Sequence, residues 1–237
     1  MNWFKHLLDI IYPRSCEACG ESLLGGENLI CIKCIIDLPQ TNSHKESIES
    51  ISNRFWGKIP VANTITYLKF TQKGKVQKMI HALKYRNKQE LGVLLGKLYG
   101  TELKSVEFEK KIDLLIGVPL HPTKLLQRGY NQADCIAEGL SVALGVSFET
   151  EAVKRITYTD SQTKKSRIER FQNVENIFEV VDAEKIKDKR IAIVDDVLTT
   201  GSTIESLATV LLNGGCKEIS IVTIAAAHHL RWQFVYL

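Results

Sequence analysis

The chain has 237 residues, of which 44% are hydrophobic and 24% are charged, and its formal net charge at pH 7 is +4. This composition is typical of a globular protein and excludes the disordered and fibrous classes. The apolar runs are far shorter than the ~20 residues that a membrane-spanning helix needs. Asp9 interrupts the apolar stretch near the start of the sequence, where a secretory signal would lie. We therefore expect a cytoplasmic protein with neither a membrane span nor a cleaved signal peptide.

The first predicted element is an amphipathic helix over residues 3–11, which Pro13 ends. A cysteine-rich module follows. Two Cys-x-x-Cys pairs, separated by eleven residues, contain Cys16, Cys19, Cys31 and Cys34. Two thiolate pairs with this spacing can hold one tetrahedral zinc ion, and a closed four-cysteine site leaves no open position for catalysis. We predict a structural zinc ribbon, the alternative being four unligated core cysteines.

The next segment is polar and lacks periodicity, which indicates a linker. The predicted organisation is therefore an N-terminal helix and zinc-ribbon module over residues 1–39, a linker over residues 40–58 and a larger domain over residues 59–237.

The positive charge is concentrated at the start of the larger domain. Residues 69–88 carry seven basic side chains and no acidic one. Such a run could contact the phosphates of a nucleotide or of single-stranded DNA, or could be an ordinary solvated helix face. Charge patterning alone leaves both interpretations open.

Apolar strands and amphipathic helices alternate through the larger domain. Strands are predicted near residues 62–70, 112–118, 177–181, 191–194 and 219–225, and helices near residues 76–83, 91–98, 131–144 and 202–212. Continuous apolar strands that alternate with helices are typical of a parallel sheet covered on both faces. We therefore predict an α/β fold with a ligand site at the carboxyl ends of its strands.

The most informative stretch is RIAIVDDVLTTGST over residues 190–203, in which a buried strand leads through two acids and a small-residue loop into a helix. Asp195 and Asp196 could accept hydrogen bonds from the vicinal hydroxyls of a ribose. The loop could hold a phosphate with hydroxyls and with backbone N–H groups at the start of the helix, through Thr199, Thr200, Gly201, Ser202 and Thr203. Gly201 is expected to let an exposed backbone approach that ligand closely.

This stretch resembles the fingerprint of type I phosphoribosyltransferases, which bind 5-phosphoribosyl-1-pyrophosphate (PRPP). The blocks VPLHP (residues 118–122) and RGYNQA (residues 128–133) resemble the pyrophosphate-loop region of the ComF family of competence-associated, phosphoribosyltransferase-like proteins. The LKY block at residues 83–85 and the arginine-rich residues 155–173 resemble the same family, whose members often begin with a zinc ribbon. The resemblance covers nearly the whole chain.

The resemblance implies a role for each block. Asp195 and Asp196 would bind the ribose hydroxyls, and the loop after them would hold the 5′-phosphate. Lys84 and Arg86 would add positive charge, and residues 155–173 would close over the site as a hood. The pyrophosphate, with a magnesium ion held mainly by ligand oxygens and water, would face Pro119, His121, Lys124 and Arg128. His121 could equally be a loop histidine without a ligand.

Three functions remain open at this point. The first is a PRPP-binding phosphoribosyltransferase with an unknown acceptor, linked to DNA uptake in natural competence as ComF-like proteins are. The second is a non-catalytic adaptor that handles single-stranded DNA for the uptake machinery and retains the phosphate site. The third is a salvage-type phosphoribosyltransferase. A hypoxanthine or guanine enzyme is disfavoured because Thr199 stands where those enzymes have an aspartate that serves as general base.

Overall fold

The computed structural model describes residues 14–157 and 177–227. Within them, five parallel strands form one sheet in the spatial order β1 (Asn63–Phe70), β7 (Glu218–Ala227), β6 (Arg190–Leu198), β2 (Leu114–Gly117) and β3 (Ser147–Glu149). Two further short strands, β4 (Val153–Arg155) and β5 (Phe178–Val180), pair antiparallel beside it. The predicted α/β fold with a parallel sheet is confirmed.

Helices cover both faces of the sheet. One face is covered by α3 (Lys75–Tyr85), α4 (Gln89–Lys104) and α6 (Gln132–Leu144), and the other by α7 (Ser202–Asn213). All four lie where the apolar periodicity predicts a helix. No helix within the described residues is long and apolar enough to cross a membrane. The remaining short helices are α1 (Ile32–Ile36), α2 (Glu49–Ser52), a 3₁₀ turn (Phe108–Lys111) and α5 (Pro122–Arg128).

Coverage on both faces explains the continuous apolar run of β6. Ala192 and Val194 pack in the core beneath α3, α4 and α6, whereas Ile191 and Ile193 pack in the core beneath α7. Because successive side chains of a strand point to opposite faces, a strand buried on both faces needs apolar residues at every position. From Asp195 onward the burial alternates, with Asp196 and Leu198 buried and Asp195 and Val197 partly exposed.

Helices α4 and α6 cross so closely that their backbones are in contact at two glycines. A Cβ atom at Gly96 would lie 2.2 Å from the carbonyl oxygen of Ile136, and one at Gly139 would lie 2.1 Å from that of Val93. No side chain fits between the two helices at this crossing. The close contact gives the sheet a rigid cover, from which the first turn of α6 reaches the carboxyl end of β2.

The strand predicted near residues 177–181 forms as β5 but lies outside the parallel sheet. Phe178 is buried and stands opposite Arg155 in the antiparallel pair with β4. Burial of Phe178 in the core shared with Val153 decides this pairing. The assignment of these residues to the main sheet was wrong, although the element itself was predicted.

Residues 40–58, predicted as a linker, pack against the sheet. The Ser43 hydroxyl donates to the carbonyl oxygen of Thr66 at 2.9 Å, and the N–H of Thr66 donates back to it at 2.8 Å. Ile51 and Phe55 are buried. The boundaries at residues 39 and 58 stay a prediction. The helix predicted over residues 3–11 lies outside the described residues, as does most of the predicted hood.

Candidate functional site

The two adjacent acids lie in the second half of β6, at the carboxyl edge of the sheet. Asp196, two residues beyond Val194, is 6% exposed. Lys84, near the end of α3, places its Nζ 2.8 Å from Asp196 Oδ2. Asp195 is half-buried, and its Oδ1 accepts a hydrogen bond from the N–H of Asp196 at 2.8 Å. The fold thus brings the acidic pair and a cation from the basic run together.

Asp195 is held in an environment that disfavours its ionised form. Burial, followed by the like charge of Asp196, raises the pKa of Asp195, and the nearby charges of Lys84 and Arg155 oppose this only in part. Burial also lowers the pKa of the Arg155 guanidinium, which nonetheless stays charged. A carboxylate in such surroundings is stabilised by any ligand that brings hydrogen-bond donors, which is the electrostatic signature of a binding site.

A loop at the start of α7 follows the acids. Thr199 and Thr200 are exposed, and the Thr200 and Ser202 hydroxyl oxygens lie 3.1 Å apart. Gly201 is the N-cap residue and has no side chain to cap the helix, and the Thr200 hydroxyl accepts one hydrogen bond, from the N–H of Ser202 at 3.4 Å. The N-terminus of a twelve-residue helix offers backbone N–H groups and the positive end of the helix dipole to an anion.

Gly201 itself is buried, so the expectation of an exposed glycine was wrong. Its φ of +85° is in the left-handed region, and a Cβ atom there would lie 2.9 Å from the Phe55 ring. Phe55 comes from the predicted linker, which covers the loop from behind. Glycine is required here for its φ and for contact with protein, in addition to any approach of a ligand.

The candidate pyrophosphate residues lie on the segment around α5. His121 is the N-cap of that helix, and its Nδ1 accepts a hydrogen bond from the N–H of Thr123 at 3.3 Å. Arg128 donates to Gln132 Oε1 at 2.6 Å and stacks over the ring of Tyr85, 5.6 Å from its centroid. Arg128 thereby reaches the residue next to Lys84. Pro119 and Lys124 lie on the same segment, and the structure leaves their role, like that of His121, a prediction.

Asp134 is a site candidate that the sequence reasoning missed. It lies in the first turn of α6, and burial raises its pKa to about 6. A Cβ atom at Gly117 would lie 2.2 Å from Asp134 Oδ1, so this carboxyl group covers the carboxyl end of β2. The glycine that ends β2 is the sequence signal that could have indicated such a close approach.

The four cysteines of the N-terminal module form one cluster. Their Sγ atoms all lie within 4.8 Å of one another, and those of Cys19 and Cys31 are 3.9 Å apart. Four sulfurs at ~2.3 Å from a tetrahedral zinc ion would be separated by a little under 4 Å, so the cluster fits such an ion. Burial by itself raises the pKa of the Cys16 thiol, but hydrogen bonds from the backbone N–H groups of Cys19, Cys31 and Ala18 outweigh it and lower that pKa to about 6. The chain thus holds four clustered sulfur atoms that could bind a metal ion such as zinc.

Three of the seven basic residues of the run contact acids of the cysteine module. Glu17, between two of the cysteines and 7% exposed at its side chain, lies 3.1 Å from Lys88 and 3.6 Å from Arg86. Lys75 pairs with Asp37 at 3.7 Å. With Lys84 on Asp196, four of the seven basic residues therefore face acids of the chain itself, and the run is no continuous free stripe. Within the described residues, Lys69, Lys73 and Lys78 make no ion pair.

A comparison with protein families decides the classification. The phosphoribosyl transferase domain model matches residues 102–233, which is more than half of the chain. Competence protein F of Haemophilus influenzae is 32% identical over 153 residues, which cover 63% of this chain and 67% of that protein. The chain belongs to the ComF family of type I phosphoribosyltransferase-like proteins.

Other relatives and structures were also found. The DNA utilization protein YhgH of Escherichia coli K12 is 27% identical to this ComF-family chain over 209 residues, 87% of each protein. Among solved structures, a glutamine PRPP amidotransferase from B. subtilis shows a TM-score of 0.42 at 20% identity, covering 61% of this chain and 30% of that one. Residues 14–101, which carry Lys84 and the cysteine cluster, precede the matched domain.

Proposed function

We propose that this ComF-family protein binds PRPP with Mg²⁺ at the carboxyl edge of its sheet and acts in the use or uptake of DNA. The observation that carries the proposal is the sequence of groups along β6 and α7. Two acids, of which Asp195 is half-buried so that its ionised form is disfavoured, are followed by a helix N-terminus whose N-cap residue is a glycine without a capping side chain. This order matches a ribose with its vicinal hydroxyls on one side and its 5′-phosphate on the other.

Each part of PRPP has a chemical counterpart at this edge. The carboxylates of Asp195 and Asp196 accept hydrogen bonds from the ribose hydroxyls, and residues 199–203 hold the 5′-phosphate. Lys84, with its side chain 25% exposed, can contact both Asp196 and a bound anion. Arg128 lies beside Tyr85 and adds a second cation for the pyrophosphate. Pro119, His121 and Lys124 complete that loop, and Mg²⁺ is held mainly by ligand oxygens and water.

The proposed reaction class is transfer of the phosphoribosyl group. An acceptor attacks C1 of the ribose, the C1–O bond to pyrophosphate breaks, and Mg²⁺-pyrophosphate leaves. The transition state is an electron-poor ribose ring, which the two carboxylates stabilise by charge. Thr199 cannot serve as a base at neutral pH, so a purine salvage acceptor of the 6-oxo class is disfavoured.

The four-cysteine cluster is proposed to hold one structural zinc ion. Its geometry fits a tetrahedral S₄ site, and the cytoplasm in which we propose the protein works keeps thiols reduced. The metal fixes the module whose Glu17 holds the end of α3. Its function is therefore to support the fold and not to take part in chemistry.

Isothermal titration of the full chain with PRPP and Mg²⁺ tests the binding proposal. We expect binding by wild-type protein and about tenfold weaker binding by Lys84→Met, which loses a charge-assisted contact at the ligand. Lys78→Met, on the same helix, is the matched control and should bind like wild type. Absence of PRPP binding by the wild-type protein would overturn the proposal. A screen for pyrophosphate release with candidate acceptors then separates an enzyme from a binding protein.

A second candidate function is that of a single-stranded DNA adaptor. It is favoured by the relative named DNA utilization protein and by the basic side chains of Lys73 and Lys78, which make no ion pair in the described chain. Neutralising these two lysines should weaken DNA binding and reduce its log–log salt slope by roughly 0.7 for each lost phosphate contact. An unchanged slope would assign them to an ordinary solvated surface.

A further inference from the structure

The segment between the cysteine module and β1 passes behind residues 199–203, which we call the phosphate loop because we propose that they hold the 5′-phosphate. Its helix α2 (Glu49–Ser52) buries Ile51, and the turn after it carries Arg54, Phe55 and Lys58. These three side chains contact the end of β6, the N-cap of α7 and the first turn of α7. We call residues 54–58 the strap. The strap precedes the residues matched by the phosphoribosyl transferase domain model.

Arg54 holds backbone carbonyls at two strand ends. Its Nη1 donates to the carbonyl oxygen of Leu198 at 2.9 Å and also to that of Thr199, and its Nη2 donates to that of Ala227 at 2.6 Å. Leu198 and Ala227 end neighbouring strands of the sheet, β6 and β7. A single planar guanidinium therefore fixes the last peptide of β6 and the first peptide of the loop relative to β7.

The orientation of those peptides follows from their planarity. In a trans peptide the C=O and N–H bonds point in opposite directions. Because the carbonyls of Leu198 and Thr199 point at Arg54, the N–H groups of Thr199 and Thr200 point away from it. Those N–H groups therefore point away from the strap, and Thr199 and Thr200 are themselves exposed. An anion bound there meets donors that Arg54 has already aligned.

Two further strap contacts extend the support along the loop. The ring of Phe55 is buried and would lie 2.9 Å from a Cβ atom at Gly201. Lys58 Nζ lies 3.1 Å from Glu205 Oε2, one turn into α7. Three successive parts of the loop and helix thus lie on one continuous piece of the strap.

We propose that Arg54 is a positioning residue for the 5′-phosphate, which it serves without touching the ligand. This inference rests on the proposed function, since it assigns the support of the same loop. Arg54 keeps the N–H groups of Thr199 and Thr200 aligned before the ligand arrives, so binding does not have to order the loop. Its removal impairs recognition of the phosphate and leaves the pyrophosphate loop, on α5, unaffected.

The test is a set of titrations of the full chain with Mg²⁺-PRPP, ribose 5-phosphate and Mg²⁺-pyrophosphate. We expect Arg54→Met to raise the Kd for ribose 5-phosphate about 10- to 100-fold and the Kd for pyrophosphate less than about twofold. Arg54→Lys should recover part of the loss, since one ammonium can still bind one or two carbonyls. Arg190→Met is the matched control. It removes an arginine from the amino end of β6 and should leave both Kd values unchanged.

A second readout needs no ligand. Hydrogen exchange of the amides of residues 199–203 should be faster in Arg54→Met than in wild type, and unchanged in Arg190→Met. If Arg54→Met does not fold, Arg54→Lys and Phe55→Leu should show the same selective loss at smaller size. If Arg54→Met weakened the binding of ribose 5-phosphate and of pyrophosphate equally, or weakened neither, the role of Arg54 alone would be overturned. Failure of the wild type to bind either phosphoribosyl compound would overturn the proposed function, and the Arg54 role with it.

Discussion

The two ends of β6 both carry an acid beside a base, and their electrostatics are opposite. At the amino end, Arg190 donates through Nη2 and Nε to the two oxygens of Asp113, at 2.7 and 3.0 Å, and these bonds lower the pKa of Asp113 to about 2. At the carboxyl end, burial and the charge of Asp196 raise the pKa of Asp195 despite Lys84 and Arg155. At the amino end, the protein's own hydrogen-bond donors stabilise the ionised carboxylate. At the carboxyl end, a bound ligand would have to supply such donors.

This difference indicates that the carboxyl end of β6, where we propose that a ligand binds, is less stabilised by the protein's own contacts than the amino end. A bidentate arginine–carboxylate pair is satisfied within the chain and offers a ligand little. Two carboxylates on neighbouring residues repel each other, and the protein tolerates them where external hydroxyl groups can bind. The amino end therefore serves the fold, and the carboxyl end is the functional candidate.

Removal of the proposed zinc ion should affect the two ends of β6 most differently. Structural zinc in small modules supplies apparent binding energy on the order of 10–16 kcal/mol at pH 7. We expect chelation to unfold residues 14–38 and, by freeing Arg86 and Lys88 from Glu17, to speed hydrogen exchange at the end of α3. Exchange around Asp113 and Arg190 should not change. Metal analysis showing clearly less than one zinc ion per chain would contradict this prediction.

Neutralising the acids at each end should give opposite results. Asp195→Asn/Asp196→Asn removes the proposed ribose ligands and should weaken PRPP binding more than about 100-fold. The variant also loses the buried Lys84–Asp196 pair, and relief of the like-charge repulsion offsets this loss of thermal stability only in part. Asp113→Asn should leave PRPP binding unchanged and lower Tm by about 1–3 °C, since an exposed pair contributes little. Titration and thermal unfolding of both variants check this. Equal PRPP affinity in the double variant would place the ligand elsewhere.

Two glycines with positive φ, one near each end of the sheet, sharpen the comparison further. Gly145, before β3, has φ +73° and no atom within 4 Å of an added Cβ, whereas Gly201 has φ +85° and the Phe55 ring at 2.9 Å. Gly145→Ala should cost about 1 kcal/mol, the strain of a left-handed alanine. Gly201→Ala should cost about 1–3 kcal/mol more, because Phe55 must move. Denaturant unfolding measures both, and equal losses would mean that Phe55 yields freely.

The two ends of β6 should respond to pH differently: the carboxyl end through PRPP binding, the amino end through stability of the fold, and each over its own pH range. Since the pKa of Asp195 is raised, lowering the pH from about 8 to about 5 should protonate it well above the ordinary range of a carboxyl group and weaken PRPP binding. The pKa of Asp113 is lowered, so its contribution to folding is complete above about pH 4 and is lost as the pH falls toward about 2. Titrations across pH check the first statement and acid unfolding of Asp113→Asn checks the second. A flat PRPP affinity over that range would contradict the role of Asp195.

Much of the architecture could be predicted because it follows from local patterns. The apolar run of β6 and the periodicity of α3, α4, α6 and α7 report burial directly, so these elements lie close to their predicted positions. The three-residue strands β3 and β4 and the short helix α5 carry too few residues for a period to show. The pairing of β5 with β4 depends on where Phe178 is buried, which no local pattern records.

The sequence by itself determined the candidate groups, because residue type and spacing mark the acidic pair and the small-residue loop as a possible ligand site and the four cysteines as a possible metal site. Only the tertiary structure decided what surrounds them. It placed Lys84 on Asp196, set Glu17 against the basic run and brought Arg54 and Phe55 from an aperiodic segment to the back of the phosphate loop. The physical reason is the separation of the contacting residues along the chain. A motif is read between neighbours in the chain, whereas Arg54 and Thr199 are 145 residues apart and meet only when the sheet has formed.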